Sequence, residues 1–300
     1  MDIFKRLNRI RLHILLKSFA AFVFLVAAFL SLTLIGDRFY STFAAVASVS
    51  FFLVFLFLIS YSIATYKQIF SRHMMKTVLE SVFEDVGYEP DRALGQSVIE
   101  NTDMIHLGNR YESGEYRSGR YRSICFTMAD VVLKNVIRLG NRVASVTYFS
   151  GTWMIFDFEK AFRYPVQIKE KSFLNAQKPR GSNPDLERMQ VFDEEFSRFF
   201  KVYAQNEEES GAFLTPELRS AILALTYELR GDLMFYFNGN RLHIALHGKK
   251  ACYDPPLLGK LYREEVEKVL LADCRAVSAF LDRLMAIDRI FEDGTAVTEG

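Results

Sequence analysis

Two long uncharged segments constrain this chain more than any other feature. They span residues 18–35 and 39–66, and only a three-residue link separates them. A helix needs about 20 apolar residues to cross the hydrocarbon core of a bilayer. The segments therefore predict two transmembrane helices, at about residues 18–36 and 41–66, and so short a link predicts an antiparallel transmembrane hairpin.

Basic side chains flank the outer ends of this hairpin. Five Lys or Arg residues precede the first segment, and three more follow the second within ten residues. Because cytoplasmic flanks are enriched in Lys and Arg, both chain termini are predicted to be cytoplasmic. The protein is then a multi-pass protein of a cytoplasmic membrane. The residues predicted to lie at the membrane interface are Arg9, Arg11, Lys17, Lys67 and Arg72.

The sequence disfavours two alternatives to a transmembrane hairpin. A cleaved signal peptide is disfavoured because the first apolar run exceeds the usual length and no A-x-A site follows it. A buried core hairpin is disfavoured by the length of the uncharged runs. Residues 1–17 form a basic cytoplasmic arm, which is either an amphipathic helix on an anionic leaflet or a disordered tail that sets topology.

Charge and cysteine content exclude some classes of function. The whole chain carries +1, but residues 1–65 hold six Lys/Arg and two Asp, which leaves −3 for the remainder. A slightly acidic soluble part argues against a nucleic-acid partner. Cys125, Cys252 and Cys274 are odd in number and widely spaced, so neither a disulfide framework nor a zinc site is expected. No metal and no cofactor is predicted, and free thiols suit a reducing compartment.

The soluble part is predicted to be an α+β domain with mostly antiparallel strands. A stalk helix runs from Lys67 to Val86 with Gly87 as its cap, within a stalk and linker at residues 67–100. The domain itself covers residues 101–291 and is followed by a tail at 292–300. The loop composition of residues 178–185 marks a possible subdivision.

Strands dominate the first half of this domain. They are expected around Arg117 to Val132, with glycine turns in YESGEYRSGRY before them, then in VASVTYFSGTWMIFDF and in YPVQIKE. Gly151 marks a turn or bulge in the second of these.

Helices and one hairpin dominate the second half. A helical face contains four phenylalanines and leads into a strand, and an acidic loop follows at Glu207 to Glu209. Thr215 caps a helix that runs to about Leu229. A hairpin, LMFYF-NGN-RLHIAL, is closed by Asn238-Gly239, Pro255-Pro256 ends that unit, and a long helix covers Glu264 to Phe291. The four phenylalanines are Phe192, Phe196, Phe199 and Phe200.

The order of these motifs resembles one family. A double span, a stalk helix and a Tyr/Gly-rich segment precede GTWMIFDFEKAF, FDEEFSRFFKVYAQNEEESGAFLTPELRSAILAL, FYFNGNRLHIAL and YDPPLL. This order is similar to the bacterial membrane family catalogued as domain of unknown function 3137, most strongly from Phe192 to Leu258. The resemblance implies an architecture and a bacterial cytoplasmic membrane, but it implies no activity and supplies no catalytic residues.

No catalytic motif is present in the sequence. There is no H-E-x-x-H, G-x-S-x-G or Walker loop. His243 and His247 lie on one predicted strand, about 13 Å apart, which is too far for one metal; each is expected at a surface or edge. Asp130 and Asp157 lie in apolar strands, where they are either buried carboxylates with raised pKa values or salt-bridged residues.

A strip of aromatic and basic side chains is the best candidate binding site. Such a strip is able to hold a lipid headgroup, a phosphate or a peptide, although an ordinary exposed antiparallel pair explains the same pattern. Its members are Tyr111, Tyr116, Arg117, Arg120 and Tyr121.

The sequence is compatible with three functions. The leading hypothesis is a membrane-anchored cytosolic binding or scaffold module of the bacterial envelope, with the lipid bilayer and a membrane protein as partners. The second is a membrane-tethered enzyme built around Asp130, Asp157 or His243. The third is a transport subunit, which the absence of ionisable groups within the spans disfavours.

Overall fold

A computed structural model of the chain shows two compact units. One contains residues 1–74 and 254–266, and the other contains residues 75–253 and 267–300. We call the second unit the sheet domain. The residues that the structure describes are 3–34, 38–140, 142–172, 185–229, 231–248 and 263–292.

Two long helices begin the chain, α1 (Ile3–Leu34) and α2 (Arg38–Glu80). Both are long and apolar enough to cross a membrane, and the candidate spans are Lys5–Ala27 and Thr42–Glu80. Most of their large apolar side chains are exposed. Composition and length therefore agree with the two apolar helices expected from the sequence.

Side-chain contacts join the two helices. Phe24 stacks on Phe51 and Phe55, with ring centroids 5.1 and 5.6 Å apart. Further along, Lys17 Nζ donates a hydrogen bond of 2.8 Å to Ser62 Oγ. This bond gives the Lys17 ammonium a polar partner within an otherwise apolar segment.

Nine strands of the sheet domain form one sheet in which every described pairing is antiparallel. The order across the sheet is β1-β2-β3-β4-β9-β8-β5-β7-β6, so β9 is central. The predicted α+β class with antiparallel strands is confirmed. The strands are β1 (Glu84–Glu89), β2 (Arg110–Tyr121), β3 (Ile124–Leu139), β4 (Arg142–Asp157), β5 (Val166–Glu170), β6 (Glu187–Met189), β7 (Phe200–Ala204), β8 (Asp232–Asn238) and β9 (Arg241–His247).

Both faces of the sheet are buried. The larger core lies on one face, which we call face A, where Phe126, Phe156 and Phe235 pack against helices. The smaller core lies on the opposite face, face B, where Trp153 and Tyr236 pack under the segment that follows β1.

The other helices of the described residues are α3 (Gln96–Glu100), α4 (Glu194–Phe199), α5 (Glu207–Phe213), α6 (Pro216–Glu228), α7 (Arg263–Met285) and a 3-10 turn (Asp288–Ile290).

The end of the predicted stalk helix is wrong. Helix α2 stops at Glu80, and Gly87 lies within strand β1 rather than at a helix cap. The chain turns here because pairing with β2 satisfies the backbone of β1, while Phe83 is buried against Phe126 with ring centroids 4.7 Å apart. The apolar spacing that continues past Glu80 therefore reflects core contacts of a loop and a strand.

The glycines of the strand region act differently from their predicted role. YESGEYRSGRY is one continuous strand, β2, without turns. Gly151 is neither a turn nor a bulge: it pairs regularly with Val131 and His247. The extra residue of β4 is Tyr148, because Leu133 pairs with Phe149 and Lys134 with Thr147.

Three further predictions in the second half need correction. Phe192 precedes helix α4 and is 95% exposed, so it takes no part in an apolar helical face. The predicted acidic loop is wrong, since Glu207 is the first residue of α5. Negative charge in the first turn of a helix is stabilised by the positive end of the helix dipole. The C-terminal helix ends at Met285 and not at Phe291.

The cap and hairpin signals were correct. Thr215 Oγ1 accepts a hydrogen bond of 3.3 Å from the Leu218 amide, and Pro216 opens α6. Asn238 pairs with Arg241, so β8 and β9 are joined by two residues, and Gly239 takes a φ of 53°. The predictions at residues 178–184, at Cys252, at Pro255-Pro256 and at the tail beyond 292 lie outside the described residues.

Substitution of Gly151 tests the packing of β4 against β9. An alanine Cβ at this position would collide with the Leu246 carbonyl oxygen, a backbone atom that cannot turn aside as the end of a flexible side chain can. We expect Gly151→Ala to lower the free energy of unfolding of the full chain by about 3 kcal/mol. Denaturant unfolding in detergent measures the change.

Gly211 supplies the matched control. No atom lies within 4 Å of the position of its Cβ, and it lies within helix α5. Gly211→Ala is therefore expected to be neutral or to stabilise by up to about 1 kcal/mol. If the two substitutions change the free energy of unfolding equally, the close approach of β4 and β9 at Gly151 is contradicted.

Candidate functional site

The carboxylates and the histidine proposed for an enzyme site do not all lie on one face of the sheet. Asp130 lies on face A, because it pairs with Thr152 and alternates with Met128 along β3. Asp157 and His243 alternate with residues of the core on face B. A catalytic centre that combines Asp130 with either of the other two is therefore not formed.

The candidate binding strip is divided between the two faces. Tyr111 and Tyr116 pack against the core of face B, whereas Tyr121 packs against the core of face A. The Tyr111 hydroxyl donates to the Leu94 carbonyl at 2.6 Å, and burial raises the pKa of Tyr111. Arg120 is exposed and pairs with Asp85 at 2.8 Å. These side chains do not form one continuous exposed strip.

Arg117, the fifth member of the strip, is buried. A bulge on β2 is the cause: Gly114 pairs with Asp130 and Arg117 with Met128, so that two residues of β2 oppose one of β3. Within the bulge, Glu115 has a φ of 56°. The extra residue places Arg117 rather than Tyr116 on face A beside Asp130.

The buried guanidinium forms an ion pair on face A. Arg117 Nη2 donates to Asp130 Oδ1 at 2.7 Å, with side-chain exposures of 2% and 13%. Thr152 Oγ1 donates to the same carboxylate oxygen at 3.2 Å, and Arg117 Nε donates to the Glu115 carbonyl at 3.0 Å. A charge pair this deep is stable only when such additional hydrogen bonds compensate its desolvation.

A small apolar cavity of about 50 Å³ adjoins this pair. Its volume exceeds that of one water molecule but is too small for a cofactor. Side chains from α2, the sheet and α7 surround it together with Arg117 and Thr152, and they include Val78, Leu79, Met128, Met154, Cys274 and Val277.

Cys274 and Asp273 are the titratable residues of α7 at this cavity. Burial, assisted by the neighbouring Asp273, raises the pKa of the Cys274 thiol to about 12 against the opposing effect of Arg117. The thiol is therefore protonated at neutral pH, which makes it unsuitable as a nucleophile.

Face B holds a separate group of buried polar side chains. His243 is 6% exposed on the central strand, which corrects its predicted surface or edge position. Its Nδ1 accepts a hydrogen bond of 3.2 Å from Trp153 Nε1. Burial, assisted by the positive charge of Arg241, lowers the pKa of His243 to about 4, so its imidazole is neutral at physiological pH.

Lys169 and Gln167 on β5 complete this group. Lys169 is 2% exposed, its Nζ lies 5.3 Å from the centre of the Tyr203 ring, and burial lowers its pKa to about 8 against the effect of Asp103. Gln167 Nε2 donates to the Thr102 carbonyl at 2.7 Å. The sequence did not single out these residues, because polar residues at every second position of VQIKE are typical of a solvent-facing side.

The described residues contain no group of three or more His, Cys, Asp or Glu side chains arranged for a metal ion. Among the membrane-interface candidates, Arg9 and Arg72 are exposed, Arg11 and Lys67 are half-buried, and Lys17 bonds to Ser62. The candidate functional features are thus the ion pair on face A, the polar group on face B and one exposed surface.

That exposed surface is the outer end of the β3–β4 hairpin. Strand β2 pairs with β3 only as far as Lys134, and β9 pairs with β4 only from Gly151 onward. Residues 135–140 and 142–146, which we call the β3–β4 extension, are thus flanked by no further strand within the described part of the chain. Ile137, Val143 and Val146 are 45%, 65% and 45% exposed.

Removal of the Asp130 charge tests the ion pair. Asp130→Asn leaves the Arg117 guanidinium buried without a counter-charge, and we expect a loss of about 3 kcal/mol in the free energy of unfolding. The double variant Arg117→Met/Asp130→Leu removes both charges, so it is expected to recover most of the loss. Asp157→Asn is the control, since its partner Arg241 is half-exposed. If Asp130→Asn lowers the free energy of unfolding no more than this control does, the buried ion pair is not the cause.

Acid titration tests the burial of His243. The pKa of His243 is about 4 in the folded chain and 6.5 ordinarily, so the unfolded chain binds more protons between these values. Stability is then full above pH 6.5 and falls as the pH drops towards 4, by up to about 3 kcal/mol. His243→Gln should flatten this part of the stability curve, whereas Arg241→Gln should leave most of it because burial is the larger cause. Parallel curves for His243→Gln and the unmodified chain would refute the assignment.

Comparisons with known proteins bear on part of the chain. The chain is similar to the crystal structure of the mycobacterial trehalose monomycolate transport factor A, TtfA, with 11% sequence identity and a TM-score of 0.35. The match covers 71% of this chain and 94% of that one. A likeness this weak establishes neither the fold nor the function. No curated protein matches the chain. A family model described as protein of unknown function (DUF3137) matches residues 147–285. The family expected from the sequence motifs is therefore confirmed over this region, which extends from β4 to the end of α7.

Proposed function

We propose that the protein is a membrane-anchored cytosolic binding module of a bacterial cytoplasmic membrane. One observation carries the proposal: α2 is a single helix that begins in exposed apolar residues and ends in residues of the sheet domain core. Val78 and Leu79 in its last turns are each 2% exposed. The same helix thus supplies an apolar span and a packed element of the domain.

The exposure of α1 and α2 supports membrane insertion. In the most apolar stretch of each helix, only 11% (α1) and 6% (α2) is buried within the protein. An apolar surface of this extent is unfavourable in water, and a bilayer is the solvent that removes the cost. The core helix of a soluble protein would instead be mostly buried.

The contacts between the two helices support an antiparallel hairpin. Lys17 meets Ser62, whereas Phe24 meets Phe51 and Phe55, so positions rise along α1 as they fall along α2. Both outer ends then face one side of the membrane. The basic flanks assign that side to the cytoplasm by the positive-inside rule.

Binding is favoured over catalysis by the placement of the polar groups. Asp130 is held by Arg117 and Thr152 on one face, and His243 bonds to Trp153 on the other. The β3–β4 extension instead exposes apolar and basic side chains. We therefore propose this extension as the binding surface, for a lipid headgroup or a protein partner.

Reporter fusions test the anchoring and its orientation. A reporter fused after Gly300 in the full chain should be active only as a cytoplasmic probe. The matched control carries the reporter in the link at residues 35–37, where it should be active only on the other side. The unfused chain should stay with the membrane after alkaline carbonate extraction. Release by carbonate, or a periplasmic Gly300, would refute the proposal.

A further inference from the structure

We propose that the β3–β4 extension contacts an anionic bilayer surface and places its apolar side chains in the headgroup region. This deepens the proposed function by naming the partner of its binding surface, and it rests on that function because anchoring keeps the domain beside a membrane. Five residue pairs, from Asn135 with Val146 to Leu139 with Arg142, form the extension. At about 3.4 Å per residue, it reaches roughly 15 Å past the rest of the sheet.

Apolar residues lie on both sides of the extension. Ile137 pairs with Ala144, and Val146 lies on the same side, whereas Val143 pairs with Arg138 on the opposite side. Ile137, Val143, Ala144 and Val146 are all exposed. A protein docked on one side would cover only half of these groups. A surrounding apolar medium, such as the outer part of a bilayer, covers both.

The charges of the extension suit anionic lipid. Arg138 and Arg142 are its two charged residues, and the sequence from 135 to 146 contains no Asp or Glu. Neither guanidinium forms an ion pair with a carboxylate in the described part of the chain. Each such cation near an anionic leaflet raises membrane partitioning about five-fold. The same charges oppose pairing with the extension of a second copy.

The base of the extension is fixed. Asn109 Oδ1 accepts from the Val136 amide and Asn109 Nδ2 donates to the Val136 carbonyl, each at 2.8 Å, in place of a neighbouring strand. Lys134 pairs with Glu112 at 3.3 Å, and His106 stacks on the bulged Tyr148 with centroids 5.4 Å apart. Contact with a membrane therefore requires little further ordering of the chain.

The experiment uses the full chain reconstituted in vesicles of phosphatidylcholine, with or without phosphatidylglycerol. An environment-sensitive fluorescent amino acid replaces Val143, and bromine-labelled acyl chains act as quenchers. We expect a shift to shorter wavelength and strong quenching in the anionic vesicles. The same label at Tyr227, which is 64% exposed on α6, is the control and should stay in water.

Two variants separate the charge from the apolar contribution. Arg138→Gln/Arg142→Gln removes the charges and should lower partitioning of the extension roughly twenty-five-fold, so that the dependence on phosphatidylglycerol is lost. Ile137→Ser/Val146→Ser keeps the charges and should abolish quenching in both kinds of vesicle. If quenching persists in both variants, the inference is overturned.

The outcomes distinguish this inference from the proposed function. If position 143 stays as water-exposed as position 227 while the chain floats with the vesicles, anchoring stands and the membrane contact is refuted. If the shift occurs only in native membranes and a photoreactive group at 143 links to protein, the partner is a protein and the inference is again refuted. A chain that does not float with any vesicle refutes the anchoring itself.

Discussion

Side chains alternate between the two faces of a β-sheet, so one extra residue in a strand moves all that follow to the other face. A hydrophobic core lies on each face of this sheet, so the face to which a residue points decides its partners. The bulge at Glu115 and Tyr116 decides that Arg117 joins Asp130 on face A. The bulge at Tyr148 likewise sets the register on which the β3–β4 extension rests.

The polar groups of the interior follow from this constraint. The Arg117–Asp130 pair is enclosed where strands and helices meet on face A, with Thr152 as an additional donor. His243 and Lys169 lie on face B, where burial favours their neutral forms. Since the two groups are separated by the sheet itself, neither is able to assist the other in a reaction. Their shared consequence is structural specificity within the sheet domain.

The elements with local signals were predictable from the sequence. Thr215-Pro216 determines a helix start through one cap and one fixed dihedral angle, and Asn238-Gly239 determines a tight turn between strands. The end of α2 was not predictable, because Phe83 continues the helical spacing although it contacts Phe126 across the core. The predicted position of His243 was wrong for a related reason. The sequence of a strand reveals which residues share a face, but not whether the strand lies at the centre or the edge of the sheet.

The candidate site was less predictable than the fold. A strip of Tyr and Arg along β2 looks continuous in sequence, yet alternation and one bulge direct its members to opposite faces. The β3–β4 extension gave no signal at all, because its valines and isoleucine are what any buried strand contains. Only the points where β2 and β9 stop pairing distinguish it. A two-stranded ribbon is marginally stable in water, and exposed β-branched residues on both of its sides add to the cost of leaving it unpartnered. Asn109 fixes the base of this ribbon when the domain folds, and the proposed contact with an anionic bilayer is what would compensate its exposed apolar surface.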